Sequence, residues 1–100
     1  MGSPWKALAD DSRREILLLL RKKEMTPSEI SEHFDFTFPA VSAHLRVLKD
    51  ADLIIEQKEG KYKYYSLNHK KAAEVMKFFD DMWGYKLKTF KEFVERKTRK

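Results

Sequence analysis

Two helix-start signals lie close together near the middle of the chain and constrain its fold more than any other feature. Thr26-Pro27-Ser28-Glu29 combines an N-cap residue, a proline at the first helical position and an acid at the third, which is typical of a helix start. After this short helix, expected over residues 27–34, Asp35-Phe36 leads to Thr37, which can cap a second helix. Two helices joined by so tight a turn indicate a helix-turn-helix.

The second helix, which we expect over residues 38–50, has two unlike faces. Val41, Leu45 and Leu48 recur with helical spacing and predict a narrow apolar stripe that faces a core. The opposite face carries short or hydrogen-bonding side chains and one long cation, namely Pro39, Ser42, Ala43 and Arg46. A DNA major groove admits such a helix, and Ser or Arg on it can hydrogen-bond to base edges. This stretch by itself fits equally a surface helix that is poor in acids, so the flanking sequence has to decide.

The flanking segments complete a small, mainly helical domain. Upstream, residues 6–9 and 12–23 are predicted to form helices. Downstream, residues 53–58 and 62–67 have the composition of strands on either side of Gly60, which predicts a β-hairpin. Its tip is surrounded by Lys58, Lys61 and Lys63. Because a two-stranded hairpin is marginal alone, it must pack on the helices, and its basic tip is left projecting.

The end of the chain predicts a long helix with an unpartnered apolar surface. Asn68 can cap this helix, which we expect from His69 to about Lys97. Its apolar residues cover too much of the circumference for a chain of 100 residues to bury against itself. The expected partner is the same helix of a second copy. The predicted dimer interface, which includes two residues near the N-terminus, consists of Trp5, Leu8, Met76, Phe79, Trp83, Leu87 and Phe90.

Composition narrows the class of protein. The length suits one domain over residues 1–100, with residues 5–68 as its core and residues 69–97 as the terminal helix. The net charge is +5, and the whole excess lies in residues 51–100, which favours a polyanionic partner such as nucleic acid. The chain has no cysteine and no apolar run long enough to cross a bilayer. We therefore expect a cytoplasmic protein with no membrane partner.

No feature of the sequence indicates catalysis. The chain has no glycine-rich phosphate loop and no cysteine nucleophile, and its three histidines are scattered. We therefore expect no enzymatic activity, no catalytic residue and no cofactor.

In the order of its elements and in several motifs, the chain resembles the ArsR family of winged helix-turn-helix repressors. The matching segments are Lys6-Ala7-Leu8-Ala9-Asp10, Arg13-Arg14-Glu15-Ile16-Leu17, Ala40-Val41-Ser42-Ala43-His44-Leu45-Arg46-Val47-Leu48, Asp52-Leu53-Ile54, Glu59-Gly60-Lys61 and Tyr64-Tyr65-Ser66-Leu67. The terminal helix is similar to that of a metal-independent branch. The resemblance implies a mainly α fold with a small β-hairpin wing and a long C-terminal dimerisation helix.

The resemblance also implies a homodimer that binds an inverted-repeat operator in double-stranded DNA and blocks transcription. By position, the residues that would face the major groove or its phosphates are Thr37, Pro39, Ser42, Ala43, His44 and Arg46, and those that would reach DNA from the wing are Lys58, Lys61 and Lys63. Some metal-sensing members carry a Cys-x-Cys pair near the start of the third helix, where this chain has residues 25–30 and no cysteine. Others use His together with Asp or Glu on the terminal helix. Here that helix has no second His beside His69, so we expect no metal site.

Two other functions fit the same residues. A winged helix can serve as a protein–protein interaction module, with the aromatic terminal helix as its binding surface. A repressor can also be released by a small apolar ligand seated between terminal helices, where Met76, Phe79 and Trp83 would line the pocket. Substituting Arg46 and Lys61 distinguishes the first alternative from DNA binding, because a protein interaction would survive it. The sequence identifies neither an effector nor the operator.

Overall fold

A computed structural model describes the backbone of residues 2–98 and the side chains of residues 2–82 and of Glu95. In chain order, the elements are α1 (Pro4–Leu8), α2 (Asp11–Leu20), α3 (Pro27–His33), α4 (Phe38–Asp50), β1 (Ile54–Glu59), β2 (Tyr62–Leu67) and α5 (His69–Thr98). Within these residues, β1 and β2 form a two-stranded antiparallel sheet. The predicted mainly α fold with a β-hairpin wing and a long C-terminal helix is confirmed. No helix in the described part of the chain is long and apolar enough to cross a membrane.

Capping interactions define the helix-turn-helix formed by α3 and α4. The predicted capping box is present: the Glu29 N–H donates to Thr26 Oγ1 at 3.3 Å, and the Thr26 N–H donates to Glu29 Oε1 at 3.0 Å. This backbone hydrogen bond from Thr26 lowers the pKa of Glu29. Thr37 caps α4 with its hydroxyl oxygen, as predicted. Across the turn, the Ser31 hydroxyl donates to the Phe36 carbonyl at 3.1 Å, which connects α3 to the segment before α4.

The inward face of α4 lies in the centre of the core. Val41, Leu45 and Leu48 are buried, as predicted. They belong to one cluster with Ile16 of α2 and Ile30 of α3. Burying a side chain of this size contributes about 1.5–3 kcal/mol. This packing determines which face of α4 remains outside.

A hydrogen-bonded turn ends α4 and directs the chain into the hairpin. The Leu53 N–H donates to the Leu48 carbonyl at 3.0 Å, and the Asp52 N–H donates to the Lys49 carbonyl at 2.9 Å. With Asp52 in the left-handed region (φ 61°), this is a Schellman motif. Asn68 Nδ2 donates to the Asp52 carbonyl at 2.8 Å. Leu53, predicted as the first strand residue, is instead a buried turn residue, because its N–H is needed to close the helix.

The hairpin packs on the helices through a contact far apart in sequence. We predicted that α2 would continue to about Lys23, but it ends at Leu20. Met25 instead pairs with Tyr65 of β2 in an antiparallel bridge. The Met25 N–H donates to the Tyr65 carbonyl at 2.9 Å, and the Tyr65 N–H donates to the Met25 carbonyl at 2.8 Å. Because this pairing needs an extended backbone, the chain leaves the helix before it reaches Met25.

Candidate nucleic-acid interface

The outward face of α4 presents the side chains predicted for it. Four of them are exposed, namely Pro39, Ser42, Ala43 and Arg46. Thr37, also exposed, caps the helix at its N-terminal end. The segment from Thr37 to Lys49 contains no Asp or Glu. Over this segment the face can therefore approach a polyanion closely without repulsion from a carboxylate of its own. Asp50, the last residue of α4, is the one acid of the helix.

His44 has different surroundings from the other predicted contacts of α4. Its side chain is half-buried, and the centroid of its ring lies 6.1 Å from that of Phe36. It therefore lies at the edge of the outward face, beside the turn of the helix-turn-helix.

The wing, which we define as residues 54–67, carries three exposed lysines in two settings. Lys58 and Lys63 lie directly opposite each other in the strand register, so both project from the same face of the hairpin. Lys61 lies in the turn beside Gly60, whose φ of 61° suits a glycine, and its Nζ is 5.5 Å from the centroid of the Tyr62 ring. Lys61 therefore lies apart from the pair formed by Lys58 and Lys63.

A groove of about 470 Å³ lies between α4 and the wing. The residues that line it are Pro27, Ser42, Leu45, Arg46, Lys49, Asp50, Glu56, Lys63 and Tyr65. This groove brings two predicted contacts of α4, Ser42 and Arg46, next to one predicted contact of the wing, Lys63. Lys58 and Lys61 do not line it.

One carboxylate connects the two walls of this groove. Glu56 accepts a hydrogen bond from Lys49 Nζ at 2.7 Å and another from the Tyr65 hydroxyl at 2.6 Å, and Lys63 Nζ lies 3.7 Å from it. The hydrogen bonds from Lys49 and Tyr65 lower the pKa of Glu56 to about 2. Burial and the hydrogen bond to Glu56 raise the pKa of Tyr65 to about 12. At neutral pH, Glu56 is therefore ionised and Tyr65 is neutral.

Lys49 and Glu56 are absent from the set of contacts predicted from the sequence. A signal for Lys49 exists, because Ser42, Arg46 and Lys49 are spaced i, i+4 and i+7 and so share one face of the helix. For Glu56, strand alternation gives the face of the hairpin but not the partner. The partner depends on the register that places Glu56 opposite Tyr65.

A second surface, formed by α1 and α5, is apolar. The ring centroid of Trp5 lies 4.8 Å from that of Phe78 and 5.6 Å from that of Phe79, yet 43% of Trp5 remains exposed. Met76 is 65% exposed. Leu8, Met76 and Phe79 line an apolar groove of about 400 Å³ between α2 and α5. The other residues predicted for the dimer interface, Trp83, Leu87 and Phe90, lie outside the described side chains.

Metal-ligating side chains are dispersed in the part of the chain whose side chains are described. No three His, Asp or Glu residues there lie close enough together to hold a metal ion. The polar chemistry beside α4 is that of Arg46, the lysines, the paired carboxylate of Glu56 and the exposed Asp50.

Known proteins resemble this chain in sequence and in structure. Residues 10–56, which include all of α4, match the family described as bacterial regulatory protein, arsR family. The transcriptional repressor SdpR of Bacillus subtilis (strain 168) is 44% identical over 68 residues, which cover 68% of this chain and 76% of that protein. The arsenical resistance operon repressor of Staphylococcus aureus is 42% identical over 64 residues, 64% of this chain and 62% of that repressor. A homodimeric winged helix-turn-helix DNA-binding domain from Mycobacterium bovis, solved by NMR, superimposes with a TM-score of 0.66 at 28% identity and covers 77% of this chain and 71% of its own.

Proposed function

The chain belongs to the arsR family of bacterial regulatory proteins, and from this premise we propose that it is a homodimeric repressor that binds an inverted-repeat operator in double-stranded DNA. One observation carries the proposal: the outward face of α4 is exposed, free of acids as far as Lys49, and bordered by a groove whose far wall is the basic wing. This arrangement suits entry of a helix into a major groove.

Each predicted contact has a role in this proposal. Ser42 and Arg46 hydrogen-bond to base edges, and Arg46 can do so in bidentate fashion with guanine. The small or capping residues Thr37, Pro39 and Ala43 let the backbone approach the groove, and His44 contacts DNA from the edge of the face. Lys58, Lys61 and Lys63 bind phosphates, which gives affinity and salt dependence but no sequence choice.

We propose that the apolar surface of α1 and α5 forms the dimer interface. Trp5 and Met76 are too exposed to be explained by packing within one chain, and the related domain from Mycobacterium bovis is described as homodimeric. The chain would form one domain, with residues 5–68 as its winged-helix core and residues 69–97 as a dimerisation helix. Trp83, Leu87 and Phe90 would extend the interface. The dimer would hold its two α4 helices about 34–36 Å apart, one turn of DNA.

As a regulator of transcription, the protein would act in the cytoplasm, without catalysis. The apolar groove between α2 and α5 favours one further possibility for its regulation, the release of the repressor from DNA by a small apolar ligand. This ligand would reach the groove beside Met76 and Phe79.

Fluorescence anisotropy tests DNA binding directly. We would titrate the wild-type protein into labelled duplex from upstream of its own gene and into a scrambled duplex, at several salt concentrations. We expect much tighter binding to the first duplex and a steep loss of affinity with salt. Arg46→Ala should weaken binding to the first duplex by about 5- to 150-fold, because a bidentate base contact is worth about 1–3 kcal/mol.

Lys22→Ala is the matched control for that substitution. It also removes one positive charge, but Lys22 is exposed just beyond α2 and lines neither the groove beside α4 nor the apolar groove. Its affinity for the first duplex should stay within about twofold of wild type. Equal losses for the two variants would mean that α4 does not read DNA. Equal, weak binding of the wild type to both duplexes would favour the protein–protein interaction module instead.

A further inference from the structure

Glu56 is an acid placed where a DNA-binding surface would be expected to have none. Ile54, Glu56 and Lys58 alternate along β1 and therefore project from one face of the hairpin. Ile54 is buried, so this face is turned towards the helices. Glu56 follows at the groove, and Lys58 lies nearer the tip. The carboxylate thus stands between the core and the basic end of the wing.

Glu56 forms ion pairs with two lysines whose amines would otherwise face solvent or DNA. Lys49 Nζ, from the last turn of α4, lies 2.7 Å from one carboxylate oxygen, and Lys63 Nζ, from β2, lies 3.7 Å from the other. The Glu56 side chain is 21% exposed, whereas those of Lys49 and Lys63 are 51% and 57% exposed. Both lysine side chains therefore remain about half open to solvent, and so to a second anion.

The negative charge at this position acts on DNA binding as well as on folding. The Tyr65 hydroxyl donates to Glu56 at 2.6 Å, and an amide oxygen of glutamine could accept the same bond. A carboxylate, in contrast, repels any phosphate that enters the groove. With its pKa lowered to about 2, Glu56 keeps this charge at neutral pH. The charge therefore bears on DNA binding in addition to the stability that its ion pairs give to the fold.

We propose that Glu56 sets the DNA affinity of this protein, because it competes with DNA phosphates for Lys49 and Lys63. In the free protein the carboxylate occupies both amines. On DNA, each amine exchanges Glu56 for a phosphate, so the gain from each contact is reduced by the ion pair that it replaces. This competition lowers the affinity of the protein for duplexes of every sequence. Contacts with bases then supply a larger share of the binding free energy. The inference rests on the proposed DNA binding and adds the residue that limits its strength.

The first test is Glu56→Gln, measured by anisotropy on a duplex of arbitrary sequence and on the upstream duplex. The substitution removes the charge and keeps an acceptor for Tyr65. We expect affinity for both duplexes to rise by about three- to tenfold, and the plot of log affinity against log salt to steepen by about one to two, since two lysines become free for phosphates. Thermal unfolding of each variant shows that it is folded.

Glu74→Gln is the matched control. Glu74 is also an acid paired with a lysine, at 3.5 Å from Lys71, but it lies on α5 away from the groove. It should change affinity by less than about twofold, since its charge is distant and screened. Equal effects of the two variants would mean that only net charge matters. Weaker binding by Glu56→Gln would mean that the carboxylate merely orients the wing. Either result overturns the inference while the proposed function stands.

A double-mutant cycle with Lys49→Gln gives a second, independent readout. If Glu56 competes for Lys49, removing this lysine should weaken DNA binding more in the Glu56→Gln background than in the wild type, because only there is the amine free. A purely structural ion pair predicts the opposite order. A wild-type protein that binds no duplex at any salt concentration would overturn the proposed function and, with it, this inference.

Discussion

Acid is expected to weaken the fold through Glu56, and the size of the effect follows from its contacts. In the folded protein its pKa is about 2 rather than 4.5, so the unfolded chain binds more protons between these values. The stabilisation is therefore complete above pH 4.5 and is lost as the pH falls through 4.5 towards 2. The full difference would amount to about 3 kcal/mol. Because the Lys49 and Lys63 partners are half exposed and screened by solvent, we expect about 1–2 kcal/mol.

Urea unfolding of the wild type and of Glu56→Gln, at equal protein concentration, measures this contribution. At neutral pH the wild type should be more stable by about 1–2 kcal/mol, and more than half of that difference should be gone by about pH 3. Glutamine does not titrate, so the variant reports the rest of the acid sensitivity of the chain. A stability difference that is the same at both pH values would falsify the assignment of this pH dependence to Glu56.

Three further predictions test other parts of the structure. Met76→Glu should convert the dimer to monomer in sedimentation experiments, because a carboxylate cannot be buried unpaired in an apolar interface. Met76→Leu should remain dimeric. A dimeric Met76→Glu protein would mean that this part of α5 does not belong to the interface. Thr26→Ala should cost about 1 kcal/mol of unfolding free energy by losing the capping box with Glu29, and Thr26→Ser should recover most of it. Absorbance titration should show one tyrosine that ionises near pH 12, absent in Tyr65→Phe, with stability lost as the pH rises from 10 towards 12.

The groove beside α4 contains some side chains whose positions the sequence predicts and others whose positions it does not. The outward position of Ser42 and Arg46 was predictable, because helical spacing relates both to the buried Val41 and Leu45. The pairing of Glu56 was not, because an ion pair across two elements depends on their relative placement. Whether the predicted residues contact DNA remains a prediction for the binding experiments above.

Local signals in the sequence determined the type and order of the elements. The capping box at Thr26, the cap at Thr37 and the turn at Gly60 act over three or four residues, so their partners are nearly adjacent in the chain. The apolar stripe of α4 likewise needs only the helical period. These interactions form in nearly the same way wherever the segment is placed, and for this reason they could be predicted.

The features that join distant segments depend on how the elements pack in three dimensions. Because Met25 forms a bridge with Tyr65, α2 ends earlier than its composition suggests. The register of the same strand places Tyr65 beside Glu56, and the packing of α4 places Lys49 beside the same carboxylate. The contact between the Trp5 and Phe78 rings likewise joins residues that are far apart in the sequence. Each of these contacts depends on the position of two elements packed on a shared core, and no periodicity within either segment specifies it.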